Sequence, residues 1–165
     1  MLRNPCYSST LNLNYVRGIS YSAIILRHLN YMMKKDGPIV VIEDDADDQE
    51  FFKEVLSDLL PNEIKIFSDS TAVIEYLLKE DCHPFLIISD ISMPKMNGFE
   101  LRDAMLEEAE IVQKKIPFLY FTSAWNEFTA EEAFKRQING FFHKPNSLEK
   151  LSEVLSDLID YWKER

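Results

Sequence analysis

The chain has 165 residues, 46% of them hydrophobic, and its 18 basic and 28 acidic side chains give a formal net charge of −10. This length suffices for one domain with a sizeable core, and the acidity argues against nucleic acid as a partner, since phosphate backbones attract basic surfaces. No apolar run approaches the roughly 20 residues that span a bilayer, and the two cysteines, Cys6 and Cys82, lie too far apart to suggest a disulfide framework. We therefore expect a cytoplasmic protein with no membrane partner.

The first 35 residues differ from the rest in charge. They contain five basic and no acidic residues, so they carry +5 and the remainder carries −15. This change predicts a boundary near Asp36. Three interpretations of residues 1–35 stay open: sequence upstream of a true start at Met32 or Met33, a disordered arm, or a targeting peptide. Because the segment lacks a periodic apolar face, we expect residues 1–31 to be dispensable for folding.

From Pro38 onward, short apolar runs alternate with stretches of helical periodicity. The predicted strands are 39–42, 63–67, 85–89, 116–121 and 140–143, and the predicted helices are 47–60, 71–80, 99–110, 130–137 and 148–162. Strand–helix units in series predict a parallel sheet with helices on both faces. Strands 1, 3 and 4 are continuously apolar, as buried central strands are, whereas strand 2 alternates and strand 5 is short. We predict a flavodoxin-like doubly wound α/β fold with strand order 2-1-3-4-5 and five helices.

Acidic residues follow two of these strands. Glu43 and Asp44 come directly after strand 1, and Asp90 comes after strand 3. The predicted order makes these strands neighbours at the topological switch point, so the three carboxylates should converge. Their mutual repulsion favours a bound cation. Mg²⁺ would take Asp44 and Asp90 directly, Glu43 through water, and a main-chain carbonyl of the following loop, at Ser92.

A lysine and a threonine complete the pattern. Lys144 follows strand 5 and would pair with a phosphoryl group or with Asp90, and Thr122, at the end of strand 4, offers a hydroxyl to a phosphoryl oxygen. Each residue alone has a simpler explanation: residues 43–45 as an acidic helix start, Asp90 as a turn residue, Lys144 as a solvated lysine, Thr122 as a strand-end hydroxyl. Together, at the carboxyl ends of four strands, they favour a metal and phosphoryl site.

At these positions the chain resembles the receiver domain of two-component response regulators. The most specific match is Asp-Ile-Ser-Met-Pro-Lys-Met-Asn-Gly at 90–98, and the resemblance covers residues 38–163. It implies that 36–165 is a response regulatory domain in which Asp90 accepts a phosphoryl group from a sensor histidine kinase or phosphotransfer protein, with Mg²⁺ required. Thr122 and Lys144 would hold the phosphoryl oxygens, Thr122 and Phe141 would form the switch, and the Lys144–Pro145 bond would be cis.

The resemblance implies a signalling module rather than an enzyme. Since only one predicted helix follows Lys144, we expect a standalone receiver that signals to a downstream protein through its phosphorylation-sensitive surface. The alternative is a Mg²⁺-dependent phosphohydrolase with Asp90 as nucleophile, because an aspartyl phosphate is also a hydrolase intermediate. A third hypothesis is a degenerate receiver that acts as a constitutive binding module.

The last predicted helix also suggests self-association. Its apolar stripe includes Leu148, Leu151, Leu155, Leu158 and Trp162, most of which must cover the sheet. Tyr161 and Trp162 lie at the very end, where the sheet has run out, and exposed aromatics are typical interface anchors. We expect a homodimer through this helix that phosphorylation strengthens.

Overall fold

The computed structural model describes residues 35–164, which form a five-stranded parallel sheet with six helices. The strands are β1 (Ile39–Ile42), β2 (Ile64–Phe67), β3 (Leu86–Ser89), β4 (Phe118–Thr122) and β5 (Gly140–His143). The helices are α1 (Ala46–Leu59), α2 (Thr71–Leu78), α3 (Gly98–Glu107), α4 (Ala109–Gln113), α5 (Glu127–Phe134) and α6 (Leu148–Lys163). The strand order β2-β1-β3-β4-β5 confirms the predicted flavodoxin-like fold.

Helices cover the sheet on both faces. On one face, α1 and α6 pack over alternate strand residues such as Val41 and Phe121. On the other, α2 to α5 cover Val40 and Tyr120 and their neighbours. Every residue of β1, β3 and β4 is buried, whereas β2 is half-buried throughout. Continuous apolar runs therefore predicted correctly that β1, β3 and β4 are the central strands.

The strand register aligns the positions that follow β1 and β3. Ile42 is paired with Ser89, so Glu43 and Asp90 leave the sheet side by side, and the Asp90 N–H donates to the Ile42 carbonyl at 2.9 Å. At the other side of the sheet, the N–H of Lys144 donates to the carbonyl of Thr122 at 3.0 Å. The register thus brings the ends of four strands to one edge.

The prediction of five helices is wrong, because 99–110 is not one helix. The chain is extended at Glu108, with φ −90° and ψ 101°, and this residue separates α3 from α4. Ile111, in α4, is buried in the core. The Lys114 ammonium, just after α4, donates to three carbonyls at and beyond the carboxyl end of α2, those of Leu77 (2.6 Å), Lys79 (2.8 Å) and Cys82 (2.8 Å).

Helix α5 begins three residues before the predicted start at 130. Asn126 caps it: its side chain accepts from the Thr129 N–H at 2.9 Å, and the Thr129 hydroxyl accepts from the Asn126 N–H at 3.0 Å. Such reciprocal caps fix a helix start without an apolar signal.

The interpretations of residues 1–34 concern a segment outside the described residues and stay predictions. Within residues 35–164, no helix is both long and apolar enough to cross a membrane.

Candidate functional site

Three carboxylates meet at the carboxyl edge of the sheet. Glu43 and Asp90 are buried, at 1% and 7% exposure, and Asp44 is exposed beside them. One oxygen from each of the three lies within 4.8 Å of the others. The donor set consists of hard oxygen ligands, which fits Mg²⁺ with its remaining positions filled by water or phosphate. Ser92 is exposed in the loop after Asp90, and its role as a ligand stays a prediction.

The acidic residues 43–45 before α1 fall into two groups, one that caps the helix and one that faces the site. Asp45 is the helix cap, because its side chain accepts from the N–H groups of Asp47 and Asp48 at 3.0 Å each. Glu43 lies outside the cap, and its Oε1 accepts only a longer bond from the Asp45 N–H at 3.2 Å. The simple explanation of these acids as a helix start therefore applies to Asp45, whereas Glu43 and Asp44 are available to the site.

Lys144 is the cation of the site. Its side chain is only 10% exposed, and its Nζ lies 2.6 Å from Glu43 Oε2, 2.7 Å from Asp48 Oδ2 and 3.4 Å from Asp90 Oδ2. Asp48 was not among the predicted site residues. It lies in the first turn of α1 beside Asp47, and the sequence alone gives no signal that distinguishes these two acids.

Burial and neighbouring charges shift the pKa values of Glu43 and Lys144. Burial raises the pKa of Glu43 to about 7, against the opposing effects of its hydrogen bond and charge interaction with Lys144, and the nearby charge of Asp90 raises it further. Burial alone would lower the pKa of Lys144, but its bonds to Asp48 and Glu43 outweigh this and raise the pKa above its usual range. One ammonium thus faces several carboxylates, an excess of negative charge that a divalent cation would relieve.

The loop after Asp90 is held tightly against the sheet. Asp90 Oδ1 accepts from the Ile91 N–H at 2.7 Å, and the Gly98 N–H donates to the Ile91 carbonyl at 2.9 Å. The buried Tyr120 hydroxyl donates to the Gly98 carbonyl at 2.6 Å. A Cβ at Gly98 would lie 2.3 Å from the Asp90 carbonyl oxygen, so this close approach requires glycine. Gly98 and Tyr120 together fix the backbone that carries Asp90.

Thr122 and Phe141 lie on β4 and β5, the two strands that follow β3 in the sheet. Thr122 is fully buried, and its Oγ1 accepts from the Ala124 N–H at 3.1 Å. Phe141 is half-buried, with its ring centroid 6.4 Å from that of Tyr120. The prediction of a cis Lys144–Pro145 bond is wrong, because the described residues contain no cis peptide bond. The trans form is the intrinsically favoured one, and it already brings Lys144 to the carboxylates.

Comparison with known proteins places this geometry in a family context. A sequence model of the response regulator receiver domain matches residues 39–156. The probable methanogenesis regulatory protein FilR2 of Methanothrix harundinacea is 22% identical over 103 residues, 60% of this chain and 65% of FilR2. An uncharacterized response regulatory protein of Shewanella oneidensis is 32% identical over 115 residues, 67% of this chain and 45% of that protein. The chain thus matches less than two thirds of the length of these relatives.

Two solved structures share the fold. The phosphorylated cyanobacterial phytochrome response regulator RcpA superposes with a TM-score of 0.68 at 22% identity, over 76% of this chain and 93% of RcpA. The Mn²⁺-bound response regulator Rcp1 gives a TM-score of 0.66 at 24% identity, over 76% of this chain and 94% of Rcp1. At such identities the likeness shows the fold alone.

Proposed function

The chain belongs to the receiver domain family of response regulators, and from this premise we propose that Asp90 is its phosphoryl acceptor. The donor would be a phosphohistidine on a sensor histidine kinase or a phosphotransfer protein, which implies a cytoplasmic location. The observation that carries the proposal is the environment of Asp90: a buried carboxylate beside Glu43 and Asp44, with the Lys144 ammonium 3.4 Å away. An acceptor, a metal site and a cation for the transferred group are thus in one place.

Each residue has a distinct part in the proposed transfer. An Asp90 carboxylate oxygen attacks phosphorus, the new O–P bond forms as the P–N bond breaks, and the imidazole keeps the electron pair of that bond. Glu43, Asp44, Asp90 and the Ser92 carbonyl would hold Mg²⁺, which when bound offsets the negative charge of the carboxylates and phosphoryl oxygens. Two proteins of the same fold support the proposed phosphoryl and metal sites: RcpA was solved in a phosphorylated form, and Rcp1 was solved with Mn²⁺ bound.

The side chains on β4 and β5 would respond to the phosphoryl group. Lys144 and the Thr122 hydroxyl would contact its oxygens, and Phe141 would change its packing as the switch residue. Trp125 and Phe128, three and six residues after Thr122, are strongly exposed. Aromatic side chains are enriched at protein–protein interfaces, so we infer that a downstream protein partner contacts this surface when Thr122 binds the phosphoryl group.

Labelling with acetyl phosphate and Mg²⁺ tests the acceptor. The full chain should gain one phosphoryl group by intact mass, Asp90→Asn none, and Asp58→Asn, an exposed acid on α1, the same as the wild type. Labelling of Asp90→Asn at the wild-type rate would contradict the proposal. Continuous turnover of a small phosphoester, rather than one group per chain, would favour the phosphohydrolase alternative.

Self-association is a separate part of the proposal. We infer a homodimer through α6, supported by Tyr161, which is 46% exposed near the end of that helix. Light scattering with and without beryllofluoride, a phosphoryl mimic, tests it. A larger mass with the mimic is expected, and a monomer in both states at tens of micromolar would contradict it.

A further inference from the structure

The Lys144 ammonium lies nearer to two other carboxylates than to the proposed acceptor. Its distances to Glu43 and Asp48 are 2.6 and 2.7 Å, against 3.4 Å to Asp90. Asp48 is the one of these acids for which the proposed chemistry supplies no role. Its side chain is 36% exposed, at the rim of the site.

Asp48 is held firmly in position. It lies in the first turn of α1, where its N–H donates to the Asp45 side chain at 3.0 Å. The helix in turn packs on the sheet through Phe52, which is buried. Since α1 is fixed in this way, the Asp48 carboxylate offers the ammonium of Lys144 a fixed partner at 2.7 Å, nearer than Asp90 at 3.4 Å.

Glu43 and Asp48 would have different partners once Mg²⁺ and a phosphoryl group are bound. Glu43 belongs to the acidic group that fits Mg²⁺, so a bound cation would engage its carboxylate. Asp48 is not in that group, and it would keep its bond to Lys144. A phosphoryl oxygen on Asp90 would then have to take the ammonium from Asp48.

We propose that Asp48 is a positioning residue that competes with the phosphoryl group on Asp90 for the Lys144 ammonium. This rests on the proposed function. The 2.7 Å contact between Lys144 and Asp48 is exchanged for a contact between Lys144 and a phosphoryl oxygen. Asp48 therefore weakens the hold on the phosphoryl group, and the start of α1 loses a partner when Asp90 is phosphorylated.

Beryllofluoride binding tests the competition without a chemical step. The full-length wild type and its variants are titrated with beryllofluoride at saturating Mg²⁺, and tryptophan fluorescence reports occupancy. Asp48→Asn should bind about threefold more tightly or better, which corresponds to about 0.6 kcal/mol. Asp48→Glu keeps the competing carboxylate and should return toward the wild-type affinity. Asp48→Ser repeats the test, and thermal unfolding verifies that each variant is folded.

Asp47→Asn is the matched control. Asp47 lies in the same first turn and carries the same charge, but it is exposed. The Asp47→Asn variant measures the general effect of losing one negative charge, and its affinity for beryllofluoride should stay near that of the wild type. Mg²⁺ titration without beryllofluoride should give the same affinity for Asp48→Asn and Asp47→Asn, because neither residue binds the cation.

The outcomes separate the two proposals. A wild type that binds no beryllofluoride would overturn the proposed function and the competition with it. A wild type that binds, with charge-removing variants of Asp48 equal to Asp47→Asn or weaker, would overturn the role of Asp48 and leave Asp90 as the acceptor.

Discussion

Replacement of Glu43 by glutamine should abolish a pH-dependent loss of stability in the metal-free protein. The pKa of this buried carboxyl rises from 4.5 to about 7 on folding. Between these values the folded protein keeps a proton that the unfolded chain has lost, so the free energy of unfolding falls as the pH rises through this window. At about 1.4 kcal/mol per pH unit, the loss amounts to about 3 kcal/mol once both states are ionised.

Urea denaturation in EDTA across this pH range measures the effect. Glutamine stays neutral, so the stability of Glu43→Gln relative to the wild type should rise by about 3 kcal/mol between pH 4.5 and about pH 8. Excess Mg²⁺ should shrink the wild-type loss, because the cation favours the ionised carboxylate. Any constant offset from the altered contact with Lys144 does not affect this difference.

Asp47→Asn is again the control, since it removes an exposed acid two residues beyond Asp45. Its stability should follow the wild-type curve. If Glu43→Gln and the wild type gave parallel curves over the whole range, burial would not raise the pKa of Glu43, and the electrostatic reasoning on the site would be wrong.

Three further changes probe the site. Asp44→Asn should weaken Mg²⁺ binding about tenfold or more, if each ligand contributes about 1.4 kcal/mol or more; an unchanged titration would show that Asp44 is no ligand. Gly98→Ala should lower the free energy of unfolding by about 3 kcal/mol and impair phosphoryl labelling of Asp90, because the new Cβ would lie 2.3 Å from the Asp90 carbonyl oxygen. A variant with the stability and labelling of the wild type would contradict this prediction. Tyr120→Phe removes one buried hydrogen bond and should lower the free energy of unfolding by about 1 kcal/mol, or Tm by about 3–5 °C, and an unchanged Tm would show that the bond contributes nothing.

The sheet could be predicted from the sequence because burial leaves a pattern that can be read. The fully buried β1 is apolar throughout and β3 is apolar up to its last residue, Ser89, whereas the half-buried β2 is interrupted by Lys65. The ends of the helices could not be predicted equally well. The break at Glu108 depends on the burial of Ile111 and on the bonds that Lys114 makes to α2, and these contacts exist only in the folded chain.

In the site, too, some features could be predicted from the sequence and others depend on contacts in the folded chain. Glu43, Asp44 and Asp90 could be predicted to converge because strand order alone brings the ends of β1 and β3 together. The bond between Asp48 and Lys144 could not, because the first-turn side chain that faces Lys144 depends on how α1 is rotated about its axis. The packing of α1 on the sheet and α6 sets that rotation.

The bonds from Lys114 to the end of α2 have a consequence for the order of folding. Helix α2 has only eight residues, no side-chain bond from its N-cap Ser70 and no basic residue in its last turn, and helices of this length are marginal in isolation. The Leu77 carbonyl in its last turn accepts from Lys114, which lies 37 positions further along the chain. The carboxyl end of α2 would therefore become stable only after α4 has docked. In hydrogen exchange, the amides of these two helices should open together as one cooperative unit, separate from the core strands.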